Sequence, residues 1–165
     1  MVSLTASGFR TLALGLLGLV LLGCQAKPAD RAAFSGAPLR AAINAGCTAE
    51  LVDEAGKACV QIDVFAEGEG EPVARGEWAY VHYLVEVDGD ELDSSHDGKP
   101  LMIKVGESND VIEGLHRGVE GMRVGERRKV VVPPRLGYRG KKVPGVPPEA
   151  DLVFLIELMQ RRDAT

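Results

Sequence analysis

The sequence predicts an α+β domain: a curved antiparallel sheet of five to six strands wrapped over one short α-helix. Three observations predict it. Several runs alternate apolar and polar residues with the period of two that a half-buried strand requires, among them residues 59–65, Trp78–Val87 and Arg127–Val132. Only residues 111–122, in the middle of the domain, carry apolar side chains at helical spacing. A twisted sheet with one apolar face must be covered, and one short helix containing glycines can cover it.

Taken in order, residues 12–22 are apolar, interrupted only by Gly15 and Gly18 and preceded by Arg10. A bilayer needs about 20 apolar residues, so this run suits the core of a signal peptide instead. The following Leu21-Leu22-Gly23-Cys24 resembles a bacterial lipobox. In that reading residues 1–23 are removed and Cys24 is lipidated, leaving an exported chain anchored to a membrane and facing the periplasm or cell exterior. The alternatives are an ordinary cleaved secretory signal or a buried helix. The all-round apolar character and the linker that follows disfavour the buried helix.

Residues 24–58 read as a tether, rich in Ala with scattered Pro, Gly and charges. Within it, residues 40–45 have the composition of a helical turn without an amphipathic face. If Cys24 carries a lipid, Cys47 and Cys59 remain, and an even pair in an exported chain suggests a disulfide. Two free thiols are the alternative if the chain is not exported. No His or further Cys stands near them at ligand spacing, so no metal is expected.

The domain is expected over residues 59–162. Residues 59–65 form its first strand, and Glu67, Glu69 and Glu71 lie in a solvated turn. Trp78–Val87 is a long strand, Asp88-Gly89-Asp90 a hairpin turn, and residues 91–95 and 101–105 are two more strands. Val111, Ile112, Leu115, Val119 and Met122 fall close to one helix face, and Gly114, Gly118 and Gly121 let that helix lie close to the sheet. Gly125 turns the chain into Arg127–Val132, which Pro133-Pro134 stops; Pro147-Pro148 turns it into a last strand over residues 152–158.

The formal charge is -5, and loss of residues 1–23 would make it -6 by removing Arg10. Neither value favours nucleic acid or anionic lipid as an electrostatic partner. Arg127, Arg128 and Lys129 sit on an alternating strand and read as a solvated face. Without a long helical segment ahead of the domain, a monomer is expected.

Four motifs now stand in order: Val81-His82-Tyr83, Leu92-Asp93-Ser94-Ser95, VIEGLHRGVEGMRVGERRKVVVPPRLGY over 111–138, and VPGVPPEADLVFLIELM over 143–159. Together they resemble the FKBP family of peptidyl-prolyl cis-trans isomerases. The resemblance implies an enzyme that rotates X–Pro amides in proline-containing polypeptide segments, with no cofactor. It also implies a site. Tyr83 would be a pocket-wall tyrosine and Asp93 a carboxylate oriented in the wall. The backbone N–H of Ile112 and the hydroxyl of Tyr138 would donate to ligand carbonyls. Leu92, Leu101, Ile103, Val111, Leu115, Val146 and Phe154 would line the apolar pocket.

Each residue has a plainer reading. Ile103, Val111, Ile112 and Phe154 suit any core, Asp93 suits a turn, and Tyr83 suits a strand. Only their joint order favours a site. His82 reads as a strand-face residue and His96 and His116 as exposed, so no histidine is given a role. No Ser-His-Asp arrangement, Cys-His pair or phosphate loop competes.

The chain departs from the family where its most effective members carry aromatic residues, at Leu92, Leu101 and Leu115. It also places Arg139, Lys141 and Lys142 after Tyr138, where glycine commonly follows the tyrosine. These departures imply a lowered rate, a preference for an acidic residue near the proline, or a module that binds proline segments without turnover.

Overall fold

The computed structural model describes residues 31–34, 40–42, 56–107 and 111–164. Its strands are β1 (Arg40–Ala42), β2 (Gln61–Ala66), β3 (Trp78–Val87), β4 (Asp90–Ser94), β5 (Leu101–Lys104), β6 (Arg127–Val132) and β7 (Leu152–Arg162). Helix α1 spans Glu113–Val119, and short 3-10 turns occupy Arg31–Phe34 and Pro134–Leu136. Strands β2–β7 supply the expected antiparallel sheet, with β1 as a seventh strand.

The strand order is β1-β2-β6-β7-β3-β4, with β5 also paired to β3. Because β3 is ten residues long, it serves two short neighbours along one edge. Trp78 to Val81 pair with β5, and Leu84 to Val87 pair with β4. Alternation sets the inner face: Val130 and Val132 on β6, and Val81 and Val85 on β3, are buried. Leu115, Val119 and Met122 close over them from the helical segment. Two glycines set the spacing. A Cβ on Gly118 would lie 2.8 Å from Val130 Cγ1, and one on Gly114 would overlap Val132. Helix α1 therefore rests almost backbone-to-side-chain on β6, which fixes where its N-terminal end, and Ile112, must stand.

The structure corrects several expectations. Residues 40–42 form a strand rather than a helical turn, with Arg40 opposite Val64 and Ala42 opposite Ile62. The free backbone groups of the β2 edge offer this pairing whatever the side chains are. Strand β7 continues to Arg162, because its partner β3 begins opposite that residue at Trp78.

Arg128 is not solvated: it is 6% exposed and bonded 2.5 Å from the buried Glu126 carboxylate. It also donates to the carbonyls of Gly118 and Glu120, tying the end of α1 to β6. His116 is buried, its Nδ1 accepting from Gly106 N–H at 3.2 Å. His96 is half-buried rather than exposed. Cys59 is buried and disulfide-bonded, its partner lying outside the described residues. The expected signal segment, Cys24 and Cys47 also lie outside them.

Candidate active site

A cavity of about 560 Å³ opens between the sheet and the N-terminal end of α1. Strand parity builds its floor. Tyr83 and Val85, two apart on β3, face it together with Phe154 of β7, and Phe154 and Val85 are register partners. The Tyr83 and Phe154 rings lie 6.4 Å apart at 50°. Leu101 at the start of β5 and Val111 and Leu115 around the helix entry complete the apolar wall.

One polar pair is set into this wall. The Tyr83 hydroxyl donates to Asp93 Oδ2 at 2.6 Å, and Ser94 N–H donates to Oδ1 at 2.9 Å. Burial pushes the Tyr83 phenol up to about 12, helped by the hydrogen bond and charge of Asp93 and by the neighbouring Tyr138. Tyr83 therefore keeps its proton and remains a donor to Asp93 throughout the neutral range. Behind the wall, Ser95 Oγ accepts from Tyr83 N–H at 2.9 Å and lies 3.0 Å from His82 Nδ1. Ser95 N–H returns a bond to the Tyr83 carbonyl, so backbone and side chain both hold this register.

The rim carries the other polar groups. Ile112 is the residue before α1, in extended conformation, and its carbonyl accepts the first helical bond, from Leu115 N–H at 3.1 Å. Its own N–H precedes the helical ladder. Tyr138 follows the 3-10 turn and begins a tight loop in which its carbonyl accepts from Lys141 N–H. That loop brings Arg139 and Lys141 to the cavity. Across the opening, Glu113 accepts from Arg117 Nε at 3.0 Å, and that hydrogen bond, with the charges of Arg117, His116 and Arg139 adding to it against burial, holds its carboxyl below the usual range.

Of the expected site residues, Tyr83, Asp93, Leu101, Val111, Ile112, Leu115, Tyr138 and Phe154 converge on the cavity. Three do not line it. Ile103 is 2% exposed within the core. Leu92 packs against the core and approaches Gly145. Val146 borders a small adjoining recess shared with Tyr138 and Pro147. Two of the three leucine departures, Leu101 and Leu115, therefore shape the cavity and Leu92 does not. Val85, Glu113 and Gly137 line it without having been expected. Val85 was legible, since it shares the strand face of Tyr83; Glu113 adjoins Ile112 in the chain; Gly137 has no signal beyond its place before Tyr138.

An antiparallel sheet wrapped over one short helix, with a cavity floored by aromatic and aliphatic side chains between them, is the FKBP architecture. The profile of the FKBP-type peptidyl-prolyl cis-trans isomerase family matches residues 69–159, and the chain belongs to that family. It is 36% identical over 100 residues to FK506-binding protein 4 of Mycosarcoma maydis, covering 60% of this chain and 26% of that one. It is 47% identical over 90 residues to the peptidyl-prolyl cis-trans isomerase FKBP10 of Mus musculus, covering 53% of this chain and 15% of that one. The chain thus spans about a quarter or less of these relatives' lengths. Among solved structures, FkpA from Escherichia coli is similar with a TM-score of 0.58 at 32% identity, covering 69% of this chain and 52% of that one. The N-terminal domain of FKBP42 from Arabidopsis thaliana gives a TM-score of 0.58 at 27% identity, covering 63% and 87% respectively.

Proposed function

We propose that this protein catalyses cis–trans isomerisation of X–Pro bonds and assists folding of exported polypeptides while tethered to a membrane through Cys24. The observation that carries the catalytic reading is the cavity. Its floor is built from Tyr83, Val85, Leu115 and Phe154 with charged groups at the rim, and Tyr83 is already committed to Asp93. Ile112 and Tyr138 line it, and the Ile112 N–H and the Tyr138 hydroxyl would serve as donors for substrate carbonyls. The tether reading is supported by the apolar run ahead of Leu21-Leu22-Gly23-Cys24, and Cys47 is the proposed partner of Cys59.

Rotation about an X–Pro bond breaks amide conjugation against a barrier of about 18–20 kcal/mol. The planar amide is the more dipolar form, and water stabilises it. Excluding water from the amide raises the planar form relative to the twisted one, so the barrier falls without a nucleophile. The proline ring supplies binding through apolar contact with Tyr83, Leu115 and Phe154. Donors at Ile112 and Tyr138 would hold neighbouring carbonyls and fix the chain on both sides of the rotating bond.

The test is a protease-free isomerisation assay on the protein and on a Tyr138→Phe, Asp93→Ala double variant. The expected outcome is acceleration by the protein and a loss of about fivefold or more in kcat/KM for the variant, since one oriented hydrogen bond is worth roughly 1 kcal/mol. Leu101 and Leu115 in the wall favour a second reading, a binder of proline segments with negligible turnover. Peptide binding without acceleration, from the folded protein, would select it.

A further inference from the structure

The rim of the cavity carries two acids and two cations, and the acids are the more fully bonded: Glu113 is ion-paired to Arg117 and also feels the charge of Arg139, without an ion-pair contact to it. Two acids line the cavity, and both have donors within the protein. Asp93 accepts from Tyr83 and from Ser94 N–H, and Glu113 is ion-paired to Arg117, which also donates to the Ala58 carbonyl. The two cations, Arg139 and Lys141, are both exposed, and among the described residues neither has an acidic side chain in ion-pair contact. Their positions are set by backbone. Lys141 N–H closes the turn onto the Tyr138 carbonyl, and Arg139 sits at φ 52°. That is left-handed backbone, which glycine adopts freely and an arginine only against steric resistance. A long cation thus occupies a strained position directly after a cavity tyrosine, and such outliers motivate a functional hypothesis.

We propose that Arg139 and Lys141 form a subsite for an acidic side chain, so that the preferred substrates are segments with Asp or Glu beside the proline. The proposal deepens the isomerase reading and rests on it for the position of the proline. A carboxylate on the residue flanking a proline seated against Phe154 and Leu115 would meet the loop of Tyr138 to Lys141 at the cavity mouth. Arg139 would offer a planar fork to both carboxylate oxygens and Lys141 a point charge. Because both cations are exposed, the contact should be modest and salt-sensitive.

The experiment pairs two peptides that differ only in Glu or Gln before proline. It reads kcat/KM by the protease-free assay and, separately, Kd by fluorescence anisotropy. The wild-type protein should favour the Glu peptide by about 3- to 10-fold at low salt, with the preference shrinking at 0.5 M salt. An Arg139→Gly, Lys141→Ala variant should lose the preference, and an Arg139→Glu, Lys141→Glu variant should reverse it in favour of the Gln peptide. The Glu-to-Gln ratio within each protein is the readout, so a change in overall rate does not obscure it. Absence of turnover with retained Glu preference in Kd would overturn the isomerase reading and leave the subsite standing. Equal affinity for both peptides, or a preference that survives the double variant or high salt, would overturn the subsite.

Discussion

The Tyr83 hydroxyl and the Asp93 carboxylate act as one unit. At 2.6 Å the phenol is spent on the carboxylate, so the pair orients the cavity wall rather than offering a free acid and base. Tyr83→Phe should therefore leave the cavity shape intact but free Asp93, costing about 1 kcal/mol of stability after allowance for partial exposure; urea unfolding measures it. The pH dependence has a definite sign. The folded phenol, raised to about 12, holds its proton where an unfolded tyrosine of pKa about 10 has lost it. The contribution of Tyr83 is thus present below about pH 10 and lost as pH rises toward 12. Ultraviolet titration should show one tyrosine ionising last, and Tyr83→Phe should remove that step. Joint motif order made Tyr83 and Asp93 legible from sequence. Arg128 was legible too, but by a different rule: it shares strand parity with the buried Val130 and Val132. Charge pointed outward and parity inward, and parity won because Glu126 and two carbonyls satisfy the guanidinium.

At the scale of elements, the cavity exists because α1 sits close to β6 at one end. Gly114→Ala should be destabilising by about 1–3 kcal/mol despite alanine's better helix propensity, since the new methyl overlaps Val132. Paired with Val132→Ala, the two penalties should be less than additive, which chemical denaturation of the four proteins can measure. Glycine spacing together with the apolar stripe made this packing readable in advance. The edge strand β1 was not. Three residues carry no usable period, and their pairing is with β2, about twenty positions away, through backbone groups that every sequence possesses. His116 is buried against its polarity because it continues the face of Ile112 and Val119 at i+4 and i−3.

At the scale of the whole molecule, His116 makes stability fall under acid conditions. His116 joins α1 to the turn at Gly106, and burial, with Arg75 adding to it and Glu113 opposing, holds its pKa below the ordinary value. The folded state resists a proton that the unfolded chain accepts below about pH 6.5. Stability from neutral His116 is therefore present above that pH and lost as pH falls through the folded value. Between pH 7.5 and 5.5 the wild-type Tm should fall further than that of His116→Gln, as differential scanning calorimetry would record. An equal fall in both would contradict this role.

Whether this cavity turns proline bonds can be read by exchange NMR. Cis and trans signals of a short proline peptide would be followed with the protein added in substoichiometric amount. Exchange cross-peaks should appear with the wild-type protein and fade with Tyr138→Phe, Asp93→Ala. Unchanged exchange in the presence of folded wild-type protein would contradict turnover in this cavity.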